Sequence, residues 1–62
     1  MHFQYWKHHD DDKWYWLGAT TKGQVLVKGG PNDTRIDVMT EIFACEFYDV
    51  GSTVTYRDKP GN

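Results

Sequence analysis

His8-His9-Asp10-Asp11-Asp12 is the densest run of chemically capable side chains in this 62-residue chain. Its imidazoles and carboxylates are ligand types suited to zinc or nickel, with His8 and His9 as the metal candidates and His2 as a further imidazole. Adjacent residues on one turn rarely converge on a single ion, because structural sites use spaced ligands held on fixed elements. The run therefore reads as a solvated hairpin tip, and neither a metal nor any other cofactor is expected. The letters His-His-Asp-Asp-Asp-Lys also resemble an expression tag, but strand-type residues flank them on both sides, so the segment reads as native. Asp10, Asp11 and Asp12 form a compact anionic group of the kind that can imitate nucleic-acid phosphates in a cationic groove on another protein. Asp33, Asp37 and Glu41 could add to it if the fold gathers them, although a net charge of −2 is small for such a mimic.

Other chemistry is sparse. Cys45 lies beside Ala44 with no histidine later in the chain, which suits a buried small hydrophobe better than a nucleophile. The acidic residues show no spacing that argues for a paired acid and base. Gly29-Gly30 lacks the lysine and hydroxyl that follow the glycines of a phosphate loop. No enzyme signature is present, and a non-enzymatic role is expected.

The informative residues are aromatic. Trp14-Tyr15-Trp16 sits in a strand-like segment, and a strand sends successive side chains to opposite faces of its sheet, so both faces need cover. Aromatic residues make up 16% of the chain, more than one small core comfortably holds, which assigns some of them to an interface. Trp6, Trp14, Tyr15 and Trp16 are the interface candidates, with Asp10, Asp11 and Asp12 as a polar determinant. Aromatics on a sheet can also stack bases, yet the seven basic residues are scattered singly and make no cationic stripe, so nucleic acid is disfavoured.

The elements that position these residues follow from periodicity. Residues 2–8 alternate as a first strand, and residues 13–20 form a second after the polar tip. Thr21-Lys22-Gly23 turns the chain into a β-branched third strand over 24–28, which Gly29-Gly30-Pro31-Asn32 is expected to break. Asp33 or Thr34 can cap a helix, Thr34 with Asp37 three residues on forming a weak capping box, and the helix is expected over about 34–48. Ile36, Met39, Phe43 and Phe47 make its main apolar stripe, extended by Val38, Ile42 and Cys45 into an arc wider than one sheet contact requires. Gly51 ends the helix segment, Val54 and Tyr56 alternate with threonines in a short last strand over 52–57, and 58–62 reads as a frayed tail.

The expected fold is a single α+β domain over 1–62, an antiparallel sheet of three to four strands in the order β-β-β-α-β with one helix on one face. A domain this small buries only about 60% of the surface its unfolded chain exposes, so oligomerisation is a natural source of stability. With one cysteine there is no disulfide framework, and no apolar run reaches the roughly 20 residues of a membrane helix. Cytoplasmic location is expected, without a membrane partner.

Phe3-Gln4-Tyr5-Trp6-Lys7, Trp14-Tyr15-Trp16, Gly23-Gln24-Val25-Leu26 and the helix opening Thr34-Arg35 with Ile42 beyond it resemble the YegP-like family of small β-β-β-α-β proteins. The resemblance implies that fold and a tendency to pair through the sheet or the helix, and it carries no catalytic residues. Two departures stand out: the first hairpin is longer and lacks the family's glycine, and Glu41 replaces a small helix residue. Two functions follow as expectations. One is a protein-binding module that self-associates as a homodimer through exposed aromatic surface. The other is a phage-encoded inhibitor of a host enzyme or defence complex, working in the host cytoplasm through its acidic-aromatic surface.

Overall fold

The computed structural model describes residues 1–57. Strands β1 (His2–His8), β2 (Lys13–Ala19) and β3 (Val25–Asn32) are followed by helix α1 (Arg35–Ala44) and strand β4 (Thr53–Tyr56). This is the expected α+β order. The four strands form one sheet in the order β3-β2-β1-β4. β1–β2 and β2–β3 are antiparallel, whereas β4 lies parallel to β1, so the sheet is mixed rather than wholly antiparallel. The parallel pair is a consequence of the helix. A chain that leaves β3 at one edge, crosses over a sheet face as α1 and descends at the other edge arrives running in β3's own direction. The tail expected over 58–62 lies outside the described residues.

β3 extends through the Gly-Gly-Pro-Asn segment that the sequence marks as a break. Two local reasons allow it. β3 is an edge strand, where a proline costs no ladder hydrogen bond, and the ladder is irregular between Trp14 and Trp16, where Gly30 takes a positive φ of 109°. Gly29 lies directly beneath the Trp16 indole, and a Cβ there would stand 2.4 Å from its Nε1.

The helix begins as its sequence predicts and ends earlier. The Thr34 hydroxyl accepts the Asp37 backbone N–H at 3.2 Å, a side-chain N-cap. At the other end the Cys45 N–H reaches back to the Ile42 carbonyl and Cys45 turns extended, so α1 stops at Ala44 rather than near residue 48. That early stop frees Tyr48 to fold its ring against Phe3 and Phe43.

Phe3, Tyr5, Trp16, Val38 and Ile42 are the buried core. The helix stripe is accordingly rotated from the one expected: Val38 and Ile42 point inward with Met39 and Cys45 beside them, while Ile36, Phe43 and Phe47 are exposed. Their apolar character alone cannot tell the two flanks apart. Glu41 settles the orientation, because its carboxylate accepts the Trp16 indole N–H at 2.7 Å and the Asn32 amide at 3.0 Å, turning that flank toward β3. Glu41 thus pins the helix to β2 and β3.

Candidate binding surfaces

A helix is about 10 Å across and strands lie about 4.8 Å apart, so α1 covers roughly two of the four strands. It packs over β2 and β3. Register assigns the side chains. Phe3, Tyr5, Trp14, Trp16, Gly18, Val54 and Tyr56 share the helix-side face, and Gln4, Trp6, His8, Tyr15, Leu17, Thr55 and Arg57 share the face with no helix. The aromatic run therefore divides. Trp16 is 6% exposed and belongs to the core, so it drops out of the interface candidates expected from sequence. Trp14 is half-buried on the same face, while Tyr15 points to the open one.

On the open face Trp6 and Tyr15 are direct cross-strand partners, their rings stacked with centroids 6.3 Å apart. The Arg57 guanidinium lies 4.7 Å from the Trp6 ring centroid and also donates to Gln4. His8 meets Tyr15 edge-on. Next to this cluster Leu17 joins Val25 and Leu26 along β3 in a shallow depression of about 550 Å³, with Leu26 44% exposed.

The hairpin tip over 9–12 is tied down by its own charges. Tyr15 donates its hydroxyl to Asp11, Lys7 pairs with Asp12 at 3.2 Å, and Lys13 bridges to Asp33. The Asp11 carboxyl is held below the ordinary carboxylate range, chiefly by the Tyr15 hydroxyl, and the Tyr15 hydroxyl is pushed up in return. Asp33 is likewise lowered by the Lys13 ammonium, and Lys13 raised by Asp33. Of the three aspartates only Asp10 is left facing histidines alone. Of the tip aspartates only Asp12 is compensated by a lysine; the uncharged Tyr15 hydroxyl orients Asp11 and leaves its negative charge in place.

These shifts set a pH window. Asp11 has a folded pKa below its unfolded value, so its bond contributes fully above about pH 4 and is lost as pH falls through the depressed value. Tyr15 has a folded pKa above its unfolded value, so its contribution is complete below about pH 10 and is lost as pH rises through the elevated one. The urea midpoint is expected to be flat from about pH 5 to 9 and to fall on both sides. Tyr15→Phe should make both limbs shallower, the part that remains belonging to the Lys13–Asp33 pair, whose shifts have the same signs. Unchanged limbs in that variant would assign the pH dependence elsewhere.

His8, His9 and Asp10 bring their ligand atoms within 4.8 Å of one another, closer than adjacent turn residues lead one to expect. The imidazoles stack almost parallel, 5.2 Å apart, and His8 Nδ1 already accepts the Asp10 amide, so no enclosed set of free ligands forms. Cys45 is half-buried at a crevice of about 500 Å³ between helix and β3 whose lining contains no histidine.

A further feature was not legible from sequence. Tyr5, Trp14 and Tyr56, from three different strands, surround a recess of about 350 Å³ where the helix begins, with Arg35 at its rim. Only the parallel pairing of β4 with β1 brings Tyr56 opposite Tyr5. Val54 and Tyr56 alternating in a short strand were the sole sequence signal. Among the described residues no helix is long and apolar enough to cross a membrane. No family model, curated protein or solved structure matches the chain.

Proposed function

We propose that this chain is a non-enzymatic protein-binding module whose first partner is a second copy of itself, docked through the open sheet face. One observation carries the reading: the stacked Trp6–Tyr15 pair and Leu17 lie on a face that no element of the described chain covers. Trp6, Tyr15 and Leu17 are half-buried and Val25 and Leu26 beside Leu17 are exposed; an apolar patch left without cover marks a contact site, and a two-fold pairing lets one patch serve both partners. The dimensions fit. The molecule measures 31 by 22 Å in its longer directions, a face of several hundred Å², near the roughly 800 Å² per partner of a standard interface. A lone free thiol suits a reducing compartment such as the cytoplasm. A phage inhibitor acting by phosphate mimicry needs a strongly anionic tip, and the pairing of Asp12 with Lys7 and of Asp33 with Lys13 counts against it.

Sedimentation across a wide concentration range tests the proposal. The mass is expected to rise toward twice the monomer, and Leu17→Lys, which buries like charge on like charge across the two-fold, should weaken the association by tenfold or more. A monomer mass independent of concentration would overturn it, as would a Leu17→Lys variant that folds and pairs as tightly as the parent.

A further inference from the structure

The helix-side recess is chemically distinct from the open face. Its walls are three aromatic rings with centroids 5.4 Å (Tyr5–Tyr56), 6.1 Å (Tyr5–Trp14) and 6.2 Å (Trp14–Tyr56) apart, each tilted against the others by 38° to 45°. The three rings touch one another at a tilt, and the surfaces they turn outward line the recess. Tyr5 is buried at 5% exposure and forms the floor, while Tyr56 is 49% exposed at the rim. Arg35 is fixed in place: its Nε–H donates to the Tyr5 hydroxyl at 3.1 Å, and its guanidinium carbon lies 5.6 Å from the Tyr5 ring centroid. Among the described residues no carboxylate pairs with Arg35.

We infer that this recess binds a flat aromatic group carrying an anionic substituent, the ring laid against the Trp14 and Tyr56 surfaces that line it and the anion paired with Arg35. Each half of that description is set by the residues. Aromatic walls by themselves also suit a quaternary ammonium, but the Arg35 charge at the rim repels one. A bare inorganic anion would meet the guanidinium and leave the ring surfaces unused. The volume, about 350 Å³, falls at the low end of small-molecule sites, which limits the guest to one or two fused rings. The recess is built within one copy and on the face opposite the proposed dimer contact, so the two proposals fail independently.

Titration of the isotope-labelled protein, followed by NMR, tests this with three probes: indole-3-acetate, adenosine monophosphate and tryptamine. The two anions distinguish a carboxylate from a phosphate source, and tryptamine carries the same ring as the first with the opposite charge. Indole-3-acetate or adenosine monophosphate is expected to shift the Trp14 indole and the Arg35 and Tyr56 amides, with a Kd of about 0.1–1 mM for so small a guest. Tryptamine should bind at least about tenfold more weakly. Arg35→Gln and Tyr56→Ala alter opposite sides of the site at exposed positions, and each should weaken the anionic probe by about tenfold while leaving the remaining spectrum folded. The inference is overturned if neither anion shifts Trp14 at about 10 mM, if tryptamine binds as well as indole-3-acetate, or if both variants bind like the parent.

Discussion

Trp16→Ala is expected to remove a large share of the chain's stability at 25 °C, whereas Tyr15→Ala, one residue earlier in the same aromatic run, should remove little. Trp16 packs against Phe3 and over Gly29 and donates its indole N–H to Glu41. Truncating a buried tryptophan costs about 3–5 kcal/mol, through lost burial and the cavity left behind. A domain of this length has only about 3–9 kcal/mol to lose, at roughly 0.05–0.15 kcal/mol per residue. Tyr15 instead faces solvent on the open side, stacked on Trp6, and its removal should cost about 1 kcal/mol. Trp14→Ala should fall between them. Circular dichroism and urea midpoints read the order directly. A Trp16→Ala protein that unfolds cooperatively near the parent midpoint would mean that the side facing the helix has been misassigned.

Gly29→Val should be nearly as damaging, for the opposite reason. The Cβ position at Gly29 lies 2.4 Å from Trp16 Nε1 and 2.6 Å from its Cε2, well inside van der Waals contact. The obstacle is a core ring already held by a hydrogen bond to Glu41, not the loose end of a flexible side chain. Overpacking of this kind costs about 1–3 kcal/mol for one methyl and more for a branched residue. The mechanism has its own control. Replacing the indole by a smaller side chain, as in Trp16→Leu, makes room for the methyl of Gly29→Ala, so the double variant should be more stable than the sum of the two single changes implies, by about 0.5–3 kcal/mol. Strict additivity would show that Gly29 is required for some reason other than the ring above it.

Gly29 also shows why the second half of β3 was hidden in the sequence. Gly-Gly-Pro-Asn carries the local signs of a turn, and those signs are sound for an isolated segment. They fail here because β3 is an edge and because Trp16, thirteen positions back along the chain, needs a residue without a side chain opposite it. The same limit applies to the helix. Ile36, Phe43 and Phe47 are as apolar as Val38 and Ile42, and only the Glu41 contacts to Trp16 and Asn32 decide which flank faces the sheet.

Composition and periodicity were enough for the element order, a helix start at Asp33 or Thr34, the two-layer α+β arrangement and the division of Trp14-Tyr15-Trp16 between two faces, because these depend on backbone geometry over a few neighbouring residues. Which face received the helix, where β4 paired, and hence whether a given aromatic became core, open face or recess wall, depended on contacts between residues distant in sequence. Alternation fixes that Tyr15 opposes its neighbours. Only the crossing of α1 over β2 and β3 decides that Trp16 is buried, and only the parallel docking of β4 places Tyr56 beside Tyr5 and Trp14.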